Sequence, residues 1–228
     1  MTVKKIRNLL SGFVMAVALL CLNPSFSQSL SKAVSTECDI YPTTDPGLNS
    51  SVQDLLTQVD RFESRMGVLY QKLSPDQQEQ VNSLLSYRDE ALFTAFPVFN
   101  DEELKASVTQ IREKYAAVVK KHEGIFPGLD RRQRDETVNA IVQCAGAKAR
   151  AERESLQSGK FAFDRCETER RNCIISVGAQ AAGMHLACSI ADLTIFAGIV
   201  CHAAAFVYQV TAGNNCNIAA ERCRRSGN

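Results

Sequence analysis

The residues with the clearest chemistry in this sequence are six cysteines near its C-terminus, because paired thiols can oxidise to disulfides. Successive members are separated by six, fourteen, twelve, fourteen and six residues, a spacing that reads the same in both directions. The six are Cys166, Cys173, Cys188, Cys201, Cys216 and Cys223. Residues equidistant from a turn face each other in an antiparallel helical hairpin. The spacing therefore predicts two helical arms that lie side by side.

Nested disulfides follow from this mirror symmetry. Cys166 and Cys173 are seven residues apart, which is two helical turns, so they share one face of their helix. The predicted bridges are Cys166–Cys223, Cys173–Cys216 and Cys188–Cys201, and the leftover pair Cys38–Cys144 would tie the N-terminal arm to a fourth helix. A chain with four bridges is expected outside the cytoplasm, where thiols oxidise.

The midpoint of the cysteine set leaves a second arrangement open. It falls near Thr194–Ile195, where the chain is apolar and has no obvious turn, and Gly213-Asn214-Asn215 would interrupt the returning arm. A small four-helix domain, with an inner and an outer pair of helices, is therefore the alternative to a simple hairpin. The bridge pattern is the same in both.

Two histidines beside the inner cysteines offer a competing chemistry. His185, Cys188, Cys201 and His202 could supply two imidazoles and two sulfurs to a zinc ion. Exported thiols usually oxidise, and both cysteines complete the mirror-symmetric set, so we favour the disulfide and predict no metal and no cofactor. The two histidines are then expected to be partly buried, and a pH-dependent membrane step is an open alternative.

The N-terminus explains how the cysteines would reach an oxidising compartment. Met1–Ser27 has a basic start, an apolar run and small residues before a cut, as a secretory signal peptide does. A lipoprotein signal at Cys21 and an uncleaved anchor are the alternatives. Cleavage after Ser27 would remove Cys21 and leave eight of the nine cysteines. We predict a secreted or periplasmic protein.

Composition narrows the function classes. The chain has 228 residues, with 26 Lys and Arg against 25 Asp and Glu, so it lacks the basic excess of a nucleic-acid-binding protein. It contains no nucleophile elbow, phosphate-binding glycine loop or metallopeptidase signature. His122-Glu123 beside two lysines is interpreted as a surface charge run. We predict no catalytic residue and no enzyme activity.

Residues 28–158 have the apolar periodicity of an amphipathic helical bundle. Apolar side chains recur at steps of three and four from Leu55 to Leu73, the seam of a helix packed against another. A second helix is predicted from Ser74, its cap, to Phe96, a third from Asn100 and a fourth from about Arg132. Charged residues on these helices are expected to form solvated faces, among them Arg61, Glu63, Lys120 and Lys121. An all-α, antiparallel bundle is the predicted fold class of this half.

Residues 159–228 form a second predicted domain of different composition. Asp192 is the one fully charged residue among the 49 from Asn172 to Ala220, a stretch rich in alanine and glycine. Small residues allow helices to approach closely in water or in lipid. Leu193–Val210 is 18 residues long, the lower limit of a membrane span, so this segment is either a buried core or a membrane-active element.

The run Cys188-Ser-Ile-Ala-Asp-Leu-Thr-Ile-Phe-Ala-Gly-Ile-Val-Cys201, with a small apolar arm and the closing cysteines 216 and 223, resembles the halocin-type peptide bacteriocins. The resemblance implies an apolar, disulfide-stapled antimicrobial peptide that is released from the C-terminus of an exported precursor. It also implies that the N-terminal part of the precursor can act as an immunity protein. It carries over no catalytic residue.

Two functions are therefore expected from the sequence. In the first, the chain is a bacteriocin-like precursor whose hairpin acts on the lipid membrane of a target cell. Residues 28–158 would then contact and shield the hairpin, and a cut near residues 148–160 would release it. That window could instead continue the fourth helix into a linker. In the second, the chain is a secreted or periplasmic binding or scaffold protein that has a stapled helical core and no toxic activity.

Overall fold

The computed structural model describes residues 45–87, 95–157, 165–190 and 194–226. These residues include six helices: α1 (Pro46–Gln71), α2 (Pro75–Tyr87), α3 (Glu102–Ile125), α4 (Arg131–Gln157), α5 (Arg165–Ile190) and α6 (Ile195–Arg225), with a short 3-10 turn at Pro97–Phe99. No strand occurs within these ranges, and the predicted all-α fold class is confirmed. The predicted signal peptide Met1–Ser27 and Cys38 lie outside the described residues.

Side-chain caps fix the starts of the first two helices. The carboxylate of Asp45 accepts a hydrogen bond from the backbone N–H of Leu48 at 2.6 Å, which begins α1 just ahead of its apolar seam. Ser74 and Gln77 form the predicted capping box of α2, with reciprocal bonds of 3.3 and 2.9 Å. The predicted end of this helix at Phe96 borders residues 88–94, which lie outside the described ranges.

The third helix begins one residue later than the sequence predicts. Asp101, and not Asn100, is its cap, accepting the N–H of Leu104 at 3.2 Å. The same carboxylate accepts two hydrogen bonds from Arg65 of α1, at 3.1 and 2.5 Å. The bond to Arg65 lowers the pKa of Asp101, so the cap is ionised at neutral pH. A contact between two helices therefore selects the cap.

One hydrophobic core is shared by both halves of the chain. α1 packs along α3, α4 packs along α5, and α3 also contacts α6. Phe62 of α1 and Val108 of α3 belong to the same buried cluster as Leu186 of α5 and Ile199 of α6. The predicted division at residue 158 therefore separates two stretches of sequence whose side chains meet in one core.

Small residues allow the helices to approach closely, as their abundance in the sequence predicts. A Cβ added to Gly146 of α4 would lie 2.8 Å from the Cβ of Ala182 on α5. One added to Gly198 of α6 would lie 2.8 Å from Val108 Cγ1 on α3. α6 is continuous through residues 213–215, so the C-terminal region is a two-armed hairpin and the suggested break before Cys216 is wrong. Packing against α5 outweighs the low helix propensity of these residues.

This packing predicts opposite effects for two glycine-to-alanine substitutions. We expect Gly146→Ala to lower the free energy of unfolding by about 1–3 kcal/mol, because its methyl group meets Ala182. Gly213→Ala is the matched control, since no atom lies within 4 Å of its added Cβ. It should raise stability by about 0.5–1 kcal/mol through helix propensity alone. Urea unfolding measures both, and equal effects would contradict the close α4–α5 contact.

Candidate functional site: a stapled hairpin around two buried histidines

Three disulfides join the two arms of the hairpin. They are Cys166–Cys223, Cys173–Cys216 and Cys188–Cys201, with Cα–Cα distances of 5.7, 5.8 and 5.6 Å. These are the three nested pairs that the mirror-symmetric spacing predicts. Because the first lies at the open end and the third beside the turn, the arms are held in one register along their whole length.

The structure describes only one of the two cysteines of the fourth predicted bridge. Cys144 of α4 takes part in a disulfide, whereas Cys38, its predicted partner, lies outside the described residues.

The alternative zinc site is wrong, because its two cysteines form the inner disulfide. Cys188 and Cys201 are bonded to each other, so their sulfurs are not available to complete a four-ligand set with the neighbouring histidines.

The two histidines meet across the hairpin next to the inner staple. His185 of α5 is 1% exposed and His202 of α6 is fully buried. Their Nδ1 atoms lie 2.8 Å apart, and the rings stack with centroids 5.1 Å apart. Phe62 of α1 packs against both rings, at centroid distances of 6.2 and 5.4 Å. The expectation of partly buried histidines understated their burial, because α1 covers the side of the hairpin that they face.

Glu63 of α1 links this histidine pair to both arms. One carboxylate oxygen lies 3.1 Å from Nε2 of His185, and the other accepts a hydrogen bond of 3.2 Å from Gln209 of α6. The Glu63 side chain is only 14% exposed, so its assignment to a solvated face is wrong. In the local sequence, only the position of Glu63 beside Phe62, on the edge of the apolar seam, distinguishes it from its exposed neighbours.

The electrostatic surroundings disfavour a charge on His202. Burial, then the nearby His185, then Arg112 of α3, hold the pKa of His202 well below its ordinary value. The Nε2 atom of His202 has no hydrogen-bond partner among the described residues. A neutral imidazole has one donor and one acceptor nitrogen, so the short Nδ1–Nδ1 contact requires one shared proton between the rings.

At the open end, an ion-pair network joins both arms to α4. Arg170 of α5 donates to Glu154 of α4 at 2.9 Å and to Glu167 at 2.7 Å, and Glu167 accepts a bond of 2.7 Å from Arg224 of α6. The Glu154 side chain is 7% exposed, so loss of Arg170 would leave a buried carboxylate with one cation fewer. The network therefore anchors the hairpin base to α4.

Two described helices, α5 and α6, are long and apolar enough to cross a membrane by length and composition alone. Half of the apolar window of α5 and 39% of that of α6 are buried in the fold. Near the turn, Ile195 and Phe196 are 42% and 43% exposed. The hairpin thus has a covered face, an uncovered face and an apolar end.

His122 of α3 is a third buried histidine, and its assignment to a surface charge run is wrong. The neighbouring Lys121 and Glu123 are exposed, but His122 is fully buried and packs against Phe126, with ring centroids 4.8 Å apart. Neither of its ring nitrogens has a hydrogen-bond partner within the described ranges. Burial, reinforced by the charge of Arg134, lowers its pKa.

The predicted processing window is largely helical. α4 continues to Gln157, so residues 148–157 extend the fourth helix, as the alternative interpretation proposed. Cleavage within the helical part of the window would require α4 to unwind. Residues 158–164, which connect α4 to α5, lie outside the described residues. A comparison of the chain with protein-family models, curated proteins and solved structures finds no match.

The buried His122 should account for part of the stability that the fold loses as the pH falls. Its folded pKa is lower than the unfolded value of 6.5, so its contribution to stability is complete above that pH and is lost as the pH falls below it. We expect His122→Leu to reduce the loss of unfolding free energy between about pH 7.5 and pH 5.5 by about 1 kcal/mol. Urea unfolding at several pH values measures this, and parallel pH curves for variant and wild type would contradict it.

Proposed function

We propose that the chain is an exported, bacteriocin-like precursor whose stapled hairpin α5–α6 acts on the lipid membrane of a target cell. Helices α1 to α4 would keep the hairpin covered until it is released. One observation carries the proposal: both arms are long and apolar enough to span a bilayer, and three disulfides bind them into a single unit.

The lengths of the arms suit this role. α5 has 26 residues and α6 has 31. At a rise of about 1.5 Å per residue, both exceed the roughly 30 Å thickness of the hydrocarbon core. A hairpin with cross-linked arms would enter as one body, since the staples prevent the arms from separating on the way.

The distribution of charge supports entry with the turn first. The basic residues lie at the open end, where Arg170 and Arg171 precede the apolar arms and Arg222, Arg224 and Arg225 follow them. Exposed Ile195 and Phe196 lie at the opposite end. Arginines at the base would remain among the lipid headgroups, where basic side chains are favoured.

The other helices would act as a shield. α1 and α3 bury one face of the hairpin in the shared core, and α4 covers α5. The proposed route is export by Met1–Ser27, oxidation in a secreted or periplasmic location, and a cut in residues 158–164. Disulfides support an oxidising compartment. The proposed activity is membrane binding and requires no catalysis, cofactor or nucleic acid.

Vesicle leakage tests this proposal. A protease site inserted into residues 158–164 of the full, oxidised chain would allow the hairpin to be released beside dye-loaded vesicles that contain anionic lipid. We expect little leakage before cleavage and strong leakage after it. Phe196→Asp should abolish leakage by charging the end of the hairpin that enters first. Ile218→Asp, at an equally exposed position near the base, is the matched control and should retain it.

The shared core favours a second candidate, an exported binding or scaffold protein without toxic activity. Leu186 and Ile199 of the hairpin are buried with side chains of α1 and α3, and separating the segments would expose both sides. In this case the cut chain would stay associated, unfold in one transition and release no dye. If Phe196→Asp and Ile218→Asp reduce leakage equally, that result would count against entry of the hairpin with its turn first.

A further inference from the structure

We propose that Glu63, His185 and His202 form an acid-sensitive latch that holds α1 against both arms of the hairpin, and that acid releases it. The latch joins three helices through contacts of 2.8 and 3.1 Å in a buried site. Its opening is a property of the fold and can be measured without a membrane. The consequence, that acid would uncover a membrane-active hairpin, rests on the proposed function.

The first step is the number of protons that the closed site accepts. At 2.8 Å the two Nδ1 atoms share one proton, as donor and acceptor. If both rings were cationic, both Nδ1 atoms would carry hydrogen and two donors would face each other. The closed geometry therefore excludes the doubly protonated pair.

The second step concerns the charges around the pair. Glu63 of α1 is the anion beside it, and that carboxylate already bonds His185 and Gln209. Arg112 of α3 is the nearby cation, and it opposes protonation of His202. Within the hairpin, each ring faces the other. One carboxylate can balance one imidazolium. A second positive charge would be buried without a matching anion and would be repelled by Arg112.

The third step is the direction of the movement. The arms cannot separate locally, because the Cys188–Cys201 staple lies three residues from His185 and one from His202. Repulsion within the pair is therefore relieved by moving the cover, α1 with Phe62 and Glu63, away from the rings. Water can then reach the Nε2 atom of His202, which has no partner in the closed site as described.

The sign of the pH dependence follows from linkage. The closed site binds a proton at His202 more weakly than the open site does, because burial lowers the pKa of this ring. The equilibrium between the closed and open states is therefore independent of pH above the ordinary histidine pKa, and it shifts towards the open state as the pH falls below that value. For one proton, the opening equilibrium should rise about fivefold over the first pH unit below that value and about tenfold for each pH unit after it.

Amide hydrogen exchange of the intact, oxidised chain tests the latch. Protection factors, which remove the intrinsic effect of pH on exchange, are compared at about pH 6.5 and pH 5.5, within the range in which histidine titrates. We expect protection in residues 54–69 of α1 and 198–209 of α6 to fall about fivefold, with little change in residues 131–147 of α4. A uniform fall over all three segments would overturn the proposal.

Three variants separate the latch from general acid sensitivity. His202→Asn keeps a hydrogen-bonding group opposite His185 and cannot be protonated, so it should flatten the local pH response to less than about twofold. If it fails to fold, His202→Gln, which also offers a hydrogen-bonding group opposite His185 and cannot be protonated, should do the same. His122→Leu, at a buried histidine away from the hairpin, is the matched control and should keep the local response. A wild-type response in the pair variants would overturn the latch.

Vesicle leakage at the two pH values distinguishes the latch from the proposed function. A local loss of protection with no leakage would support the latch and count against membrane activity. Leakage from the released hairpin, together with an unchanged exchange pattern in the intact chain, would support membrane activity and overturn the latch.

Discussion

The three disulfides between α5 and α6 fix the register on which the other features of the hairpin depend. With the arms held at Cα distances below 6 Å at each staple, the Nδ1 atoms of His185 and His202 meet, and Tyr208 reaches Gln180. The same register gathers arginines at one end of the hairpin and places the exposed Ile195 and Phe196 at the other. A shift of one residue along either arm would break all of these contacts together.

The arms are apolar around most of their circumference, which explains the architecture of the remaining helices. A helix that is hydrophobic on all sides must be covered by protein or by lipid. α1 and α3 have the opposite character, with one apolar stripe and one charged face, and their stripes meet the hairpin in the shared core. The two proposed functions differ in whether this cover is permanent. The Glu63 contact matters in both, because it is a polar link between the cover and the arms.

The features that were predicted correctly from the sequence are those that depend on the spacing of residues along the chain. The seam of α1, the capping box at Ser74 and the mirror-symmetric cysteines each need only spacing along one chain. Three of the failures depend on contacts between helices. Asp101 replaces Asn100 as a cap because Arg65 reaches it, and α6 continues past Gly213 because α5 supports it. Glu63 is mostly buried because both arms of the hairpin contact it. Spacing alone cannot report which of several charged neighbours points towards a partner helix.

Disulfide mapping tests the central claim, that the arms are antiparallel and bonded in nested pairs. Trypsin is unsuitable, because no lysine or arginine lies between Arg171 and Arg222 and four of the cysteines would stay in one peptide. Pepsin, at an acidic pH that prevents disulfide exchange, can cut between them before mass spectrometry. The structure predicts a peptide linking Cys173 to Cys216 and another linking Cys188 to Cys201. A Cys166–Cys173 link, or free thiols at these positions in the protein isolated without reductant, would contradict it.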